Sequence, residues 1–530
     1  MSVSASVSNP SPSTGSSPSL FAHLKSDLPA GLVVFLVATP LCLGIAQASG
    51  APLLSGLIAG IVGGIVVSLL SRSSLSVSGP AAGLAVIVAA GIQELGFQAF
   101  LLAGLLAGAM QMALGVLRLG VVAHYFPTAV IKGMLAAIGV LIVLKQLPHA
   151  VGYDADFEGD DSFQQPDGHN TFTAIGDAFE KLTPAAIVVT LLCALCYVVW
   201  PRVQRGALKM VPTPLVAVVV GGVVATLLPT VWAAGGLGAE HLVALPLFSS
   251  VGDVADAIVT PMFSRITDPA VWRIAGTLAI VASIETLLSL EAVDRLDPER
   301  RISPTNRELM AQGVGNMVSA SIGGLPITSV IVRSSANVQA GGKTRMSAVF
   351  HGVLMLFGVL LAAKLLNHVP LAALAVVLIV VGTKLTSPTL WKTMWRAGWS
   401  QFIPFAVTVG AIVFTDLLKG TMIGVVVGLV FAVRRQQQNA VVVAENNRNI
   451  FIRFTKDMTF LQKARVKDVL RQIPDNSSVI IERDRVDFID DDVEEVLAEF
   501  AHGAPDRGIV LEENLSDADR ARRAKIVVGH

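Results

Sequence analysis

Glu285 lies in the middle of the apolar stretch Ile280–Leu290. A carboxylate in such a run is costly unless it lines a cavity or has a partner. It suits the binding of a proton or of a cation such as Na+. The alternative is a structural ion pair with a neighbouring helix. Ser289 follows by four residues, on the same helical face, and can add an oxygen ligand. Glu291 is nearer the end of the run and is expected to be solvated.

Two breaks in apolar sequence form a second signal. Ser76-Val77-Ser78-Gly79-Pro80 interrupts one stretch, and Gly323-Gly324-Leu325-Pro326-Ile327-Thr328-Ser329 interrupts another in the second half. Pro80 can occupy the first position of a helix. Each break leaves backbone N–H groups unpaired at depth, which is tolerated only where they line a cavity. Two helix N-termini aimed at one spot present partial positive charge to an anion. Interrupted segments at corresponding places in two halves point to a transporter binding site; the alternative is glycine-mediated packing.

The other polar groups are weighed singly. Arg333 comes about two turns after the second break and either adds positive potential there or reaches for the membrane surface. Lys132 is read as pairing or snorkelling, His351 as a packing histidine, and Gly56, Gly60 and Gly64 as a close-packing face. Cys42, Cys193 and Cys196 lie in apolar runs and read as small hydrophobes rather than a disulfide or metal set. No Walker A, zinc or nucleophile-elbow sequence appears. No cofactor, metal centre or enzymatic activity is therefore expected.

The elements that must hold these residues are membrane helices. Of 530 residues, 53% are hydrophobic and only 15% charged, and the mean hydropathy is +0.66. Formal charge is balanced, which speaks against nucleic acid as a partner. Leu28–Ser71 holds no charge in 44 positions, enough for two spans at ~20 residues each. Similar runs recur to about residue 433, and fourteen spans are predicted. With the N-terminus inside, Arg72, Arg118, Arg202, Arg205, Lys209, Arg295, Arg300, Arg301, Lys343, Arg345, Lys392, Arg396, Arg434 and Arg435 all fall on the cytoplasmic side. The acidic loop Gly152–Lys181 (Asp154, Asp156, Glu158, Asp160, Asp161) then falls outside, and an even span count leaves both termini in the cytoplasm.

Three regions follow. Residues 1–20, with nine serines and no charge, read as a disordered tail rather than a signal peptide. Residues 21–438 form the membrane part. Residues 439–530, with 14 Lys/Arg and 18 Asp/Glu, read as a small α/β domain. Its strands are expected at Asn449–Phe454 and Ser478–Glu482, and its helices at Asp457–Gln472 and Asp491–His502.

With these residues in hand, the chain resembles the SulP family of sulfate permeases and related anion transporters. Pro40-Leu41-Cys42-Leu43-Gly44-Ile45-Ala46, Ser78-Gly79-Pro80, Asn306-Arg307-Glu308-Leu309 with Gln312-Gly313-Val314-Gly315-Asn316, and Gly323 through Arg333 with Ala340–Arg345 carry the likeness, over roughly residues 25–435. The resemblance implies an all-α membrane protein of seven plus seven inverted repeats, split into core and gate domains. The anion is then expected against Ser78, Gly79, Pro80 and Ala81 of span three and Thr328, Ser329, Val330 and Ile331 of span ten, largely through backbone. Pro40 of span one and Arg333 lie beside it. Glu285 matches the family's acidic coupling position, and Ser289 the hydroxyl one turn on. The family further implies a homodimer in the plasma (inner) membrane and a C-terminal STAS-like domain, here with Asp491 where related regulators carry a phosphorylated serine.

Two departures bear on substrate and coupling. Leu41 replaces the glutamine that many sulfate-type members carry after the span-one proline, which tilts toward bicarbonate. Ile331 stands where sodium-coupled members have threonine, and Glu285 where they have aspartate, which tilts toward protons. The expectation is secondary active symport of a small inorganic oxyanion, bicarbonate or sulfate, with H+ or Na+. Its rivals are a nucleobase permease of the same architecture, a C4-dicarboxylate transporter, an anion channel, and a membrane-anchored regulator.

Overall fold

The structure, a computed structural model, describes residues 23–155, 163, 170–206, 208, 211–232, 236–247, 252–253, 257–361, 363–437, 440–483, 486 and 488–514. The serine-rich tail, Asp156, Glu158, Asp160, Asp161 and Lys209 lie outside them. The chain divides into two units, Met1–Arg396 with Phe405–Val425, and Ala397–Pro404 with Val426–His530.

Apolar sequence with few charges folds as helix because lipid offers the backbone no hydrogen-bond partner. The first helix, α1 (Leu24–Ala48), runs through both Pro29 and Pro40. A turn at Gly50, whose φ is 65°, and Pro52 separate it from α2 (Leu53–Val62), which continues as a π-turn over Gly63–Val67. A three-residue strand β1 (Ser78–Pro80) precedes α3 (Ala82–Leu95), α4 (Phe97–Val116) and α5 (Thr128–Ala150). Then come α6 (Thr171–Glu180), α7 (Pro184–Val203), α8 (Thr213–Val231), α9 (Pro269–Leu296) and α10 (Thr305–Ser321). A second short strand, β2 (Ile327–Ser329), leads into α11 (Ile331–Gln339), α12 (Met346–Leu361), α13 (Leu371–Leu385), α14 (Pro388–Arg396), α15 (Trp399–Phe414) and α16 (Leu417–Gln437).

Among the described residues, nine helices are long and apolar enough to cross a membrane, and Ala82–Leu95, Met346–Gly358 and Trp399–Phe414 are shorter apolar helices. The chain is thus a multi-pass, mainly helical membrane protein. α7 and α8 show why composition alone suffices for this reading. Leu191, Leu195, Val219, Val223, Leu227 and Val231 are exposed on them, which a water-facing surface would not tolerate as a continuous band.

The glycine face of α2 packs against its neighbours by direct backbone approach. A Cβ on Gly56 would sit 2.0 Å from the Cys42 carbonyl oxygen of α1, and one on Gly64 2.6 Å from the Gly352 Cα of α12. Backbone cannot yield as a side chain can. Gly56→Ala is therefore expected to cost about 1–3 kcal/mol or more, seen as a clear drop in the melting temperature of the detergent-solubilised protein.

The second unit holds a four-stranded sheet in the order β3-β4-β5-β6: β3 (Val441–Asn446), β4 (Asn449–Phe454), β5 (Ser478–Glu482) and β6 (Val510–Asn514). β3 and β4 form an antiparallel hairpin, with Asn447 at φ 56° in its turn; β4, β5 and β6 run parallel. Crossover helices α17 (Lys463–Arg471) and α18 (Asp491–Gly503) lie between the parallel strands in sequence. Val466, Leu470, Val493 and Leu497 of these helices pack on Ile450, Ile452, Val479 and Ile481 of the sheet. The expected helix at Asp457–Gln472 begins only at Lys463. Met458 is held extended by its bridge to Ile489, and Thr459 and Gln462 close a capping box over a 3-10 turn. Asp490 caps α18 by accepting from the Asp492 N–H.

Candidate functional site

The two sequence breaks meet. β1 and β2 pair antiparallel, Ser78 opposite Ser329, Gly79 opposite Thr328 and Pro80 opposite Ile327. A helix leaves each strand at once, α3 after Pro80 and α11 after Ser329. Neither start has a side-chain cap: Ala81 and Val330 occupy the cap positions in extended backbone. The first N–H groups of both helices thus keep their electropositive character.

One face of α10 supports the pair. Gln312 Nε2 donates to Ser78 Oγ (2.7 Å) and to Glu308 Oε1 (2.9 Å). The Ser71 hydroxyl donates to the other Glu308 oxygen. Asn316 Nδ2 donates to the Ile327 carbonyl (3.0 Å), and its Oδ1 accepts from the Ile327 N–H. Glu308, Gln312 and Asn316 recur every four residues, so one helical stripe holds both strands. At the far end of α11, Asp27 of α1 accepts from the Lys343 and Thr344 N–H groups (2.7 and 3.0 Å).

A cavity of about 60 Å³ opens at the two helix starts. A single water needs roughly 10–15 Å³ of such space, so it accommodates one small oxyanion or a few waters. Ala82, Gly83, Val330, Ile331, Arg333, Glu285 and Ser289 line it, with Leu41 and Ile45 of α1. α5 closes the other side with Ile138, Ile142, Lys145, Gln146 and His149. Arg333 is fully buried and so does not reach the membrane surface. Its Nη2 donates to the Pro80 carbonyl at 3.3 Å; its Nε and Nη1 have no hydrogen-bond partner among the described residues. A buried guanidinium with idle donors is expensive, and an anion in the cavity would offset that cost.

The expected site residues divide into two groups. Val330, Ile331, Arg333, Glu285 and Ser289 line the cavity, whereas Pro40, Ser78, Gly79, Pro80, Ala81, Thr328 and Ser329 do not. Those seven were expected to contact the anion; they adjoin the helix starts but are not among the residues that line the cavity. Pro40 is buried within α1, and the next residue, Leu41, faces the cavity. The hydroxyls are committed elsewhere: Ser78 to Gln312, Ser329 to Ser76 (2.7 Å), and Thr328 to the Ser329 carbonyl (3.3 Å).

Sequence reasoning missed the α5 side altogether. Lys145, Gln146 and His149 stand at i, i+1 and i+4, just past the apolar run that ends at residue 144. That spacing places Lys145 and His149 on one helical face and was the available signal. Lys145 Nζ is buried without a hydrogen-bond partner among the described residues. His351 is fully buried, and neither ring nitrogen has such a partner.

A second cavity, of about 670 Å³, is lined by Lys132, Arg295, Arg300, Arg301 and Lys384 against the carboxylates Glu291 and Asp294. Glu291 pairs with Arg295 at 2.9 Å rather than standing alone in solvent. Lys132 joins this cationic mouth, which lies where α5, α9 and α13 end or begin at one side of the bundle.

The chain is similar to known proteins over most of its length. A putative sulfate transporter of Bacillus subtilis (strain 168), YvdB, is 30% identical over 419 residues, covering 78% of this chain and 74% of that one. The bicarbonate transporter BicA of a Picosynechococcus species is 26% identical over 460 residues, 82% and 75% of the two chains. Among solved structures, SLC26A9 superposes with a TM-score of 0.63 at 18% identity, over 93% of this chain and 85% of that one. The transmembrane domain of a cyanobacterial BicA gives 0.51 at 24% identity, over 77% and 98%. Both structural likenesses speak to fold. The sulfate permease family profile matches residues 24–408, a stretch that takes in α1, both uncapped helix starts, the α10 stripe and Glu285, and the chain therefore belongs to the sulfate permease family.

Proposed function

We propose that this protein is a secondary active transporter that carries a small inorganic oxyanion, bicarbonate or sulfate, together with a proton. The observation that carries the reading is the meeting of two uncapped helix starts and the idle guanidinium nitrogens of Arg333 at one small cavity that also holds Glu285. The anion sits on the N–H groups that open α3 and α11, and Arg333 supplies the full charge behind them. Glu285 carries the coupling proton.

Proton rather than Na+ is favoured by the company Glu285 keeps. Lys145, His149 and Arg333 line the same cavity and present nitrogen atoms, whereas a hard cation such as Na+ takes oxygen ligands. Ile331, with no side-chain oxygen, stands at a helix start facing it. A nucleobase is disfavoured by the cavity volume and by its lining, in which Glu285 is the one carboxylate among the described residues. The nine long helices, the three shorter apolar ones, and the polar α10 and short α11 together make fourteen segments in two sets of seven. The C-terminal sheet unit is read as a STAS-like domain and the protein as a homodimer of the plasma membrane, as the family resemblance implies, with both termini cytoplasmic.

The test is uptake of labelled bicarbonate and labelled sulfate into proteoliposomes, with proton and sodium gradients imposed separately. An inward proton gradient is expected to drive accumulation of one of the two anions, and a sodium gradient at fixed pH to have no effect. Sodium-driven accumulation would overturn the proton assignment. Uracil-competed uptake would favour the nucleobase reading, and rapid flux indifferent to any cation gradient would favour a channel.

A further inference from the structure

The outer end of α5 carries a buried polar cluster of which the reading above uses only His149. Asp154 places one carboxylate oxygen on His149 Nδ1 and the other on His241 Nδ1, each at 2.5 Å. The two histidines are 92 residues apart in sequence, yet both address the same carboxylate. The Asp154 and His149 side chains are each 3% exposed, and His241 is 14% exposed. The chain is turned back to make this possible: Gly152 adopts φ 80°, and the Tyr153 N–H returns to the Pro148 carbonyl at 2.9 Å. His149 also lines the cavity that holds Glu285.

A carboxylate can only accept, so both rings must carry their proton on Nδ1. For His149 that fixes the tautomer and leaves Nε2 as the basic atom for chemistry in the cavity. The same arrangement of carboxylate behind imidazole raises ligand or base strength elsewhere in proteins. Burial by itself would raise the Asp154 carboxyl, but the hydrogen bonds from His149 and His241 outweigh it and hold the group below the ordinary carboxylate range. Asp154 therefore stays ionised and can balance an imidazolium.

We infer that His149 is the proton-exchange partner of Glu285, and that Asp154 and His241 are positioning residues that hold its ring. This rests on the proton-coupled reading of Glu285. In the exchange, the O–H bond of the Glu285 carboxylic acid breaks and an N–H bond forms at His149 Nε2, leaving a carboxylate and an imidazolium. The imidazolium is paired with Asp154 through its Nδ1–H, and its Nε2 proton is then released to water. Among the described residues, the charged groups around His149 include Asp154 on the returning loop, Glu285 on α9, Lys145 one turn back on α5, and Arg333 on α11. His241 faces Asp154 and, at 3.7 Å from Nε2, Glu240. The hydrogen bond to Asp154, and the charge of both carboxylates, raise the His241 imidazole despite partial burial.

The experiment measures proton-driven uptake of whichever anion the wild type accumulates, across pH, in His149→Gln, Asp154→Asn and His241→Gln, with Glu285→Gln alongside. His149→Gln is expected to lose proton-driven uptake about 100-fold, the low end of the effect of removing a positioned acid–base group. Asp154→Asn is expected to move the uptake midpoint to lower pH by about 1–3 units, the usual effect of losing a facing charge. His241→Gln should shift it in the same direction by less. The pH shift in Asp154→Asn is the readout that a merely structural anchor would not produce, and it stands if His149→Gln fails to fold. If Glu285→Gln loses uptake while His149→Gln keeps it and Asp154→Asn leaves the midpoint unmoved, this inference fails and the coupling reading survives. If Glu285→Gln itself responds to the proton gradient as the wild type does, the coupling reading is the one that fails.

Discussion

In Glu285→Gln, accumulation driven by an imposed proton gradient is expected to vanish. The amide matches the carboxyl in shape and cannot take up a proton. A gradient of one pH unit supplies about 1.4 kcal/mol per proton, hence roughly tenfold accumulation for each proton carried. The variant should therefore lose about a factor of ten per pH unit imposed and show a flat response to the gradient. Its melting temperature should stay close to that of the wild type, because Gln can occupy the same space between Gly83 and Ser289. The measurement is the ratio of internal to external labelled anion at steady state, at two or more gradient sizes. A ratio that still rises with the gradient would show that the coupling proton rides elsewhere.

Gly79→Ala is expected to cost the fold, and Gly83→Ala to spare it. A Cβ on Gly79 would lie 2.0 Å from Arg333 Nη1 and 3.0 Å from its Cζ. Arg333 can yield only by shifting a fully buried guanidinium and giving up the Nη2 bond to the Pro80 carbonyl. The alternative, parting β1 from β2, breaks the pairing that brings the two helix starts together. Overpacking of this kind costs about 1–3 kcal/mol and occasionally more; here it should appear as low yield of monodisperse protein and a lowered melting temperature. A Cβ on Gly83 would instead meet the Glu285 carboxyl at 3.0–3.2 Å, a crowding that a few tenths of an ångström relieve. Gly83→Ala should therefore fold and purify normally while transporting more slowly. Equal stability of the two variants would contradict the geometry.

Legibility in the sequence followed the range of the interactions. The breaks at Ser78-Gly79-Pro80 and Gly323–Ser329 announce themselves locally, because glycine and proline interrupt apolar runs whatever surrounds them. That they pair as strands is not local: the partners are some 250 residues apart, and three residues are too few for a period to show. Glu285 and Ser289 were visible as polar residues one turn apart in an apolar helix. Lys145 and His149 were not, since a polar end to a span reads as ordinary interface until α5 is seen against α9 and α11. Asp154 was read as one acid among several in an outer loop. Its burial depends on His241, a residue that nothing in the neighbouring sequence predicts. In the second unit, β4, β5 and α18 followed from alternation and spacing, whereas β3 and β6 did not stand out, because neither Val441–Asn446 nor Val510–Asn514 alternates apolar with polar residues.

The antiparallel stitch between β1 and β2 bears on direction. Main-chain bonds lock the two electropositive jaws to each other, and the α10 stripe locks both to one helix. In the transporter proposed above, a grip built this way keeps its shape whichever side of the bilayer it faces, so its hold on the cargo is nearly the same at loading and at unloading. Vectorial work cannot then come from a jaw that tightens and loosens. Under the proposed coupling it is imposed by the partner ion, and a carrier stripped of that partner would become an even-handed shuttle.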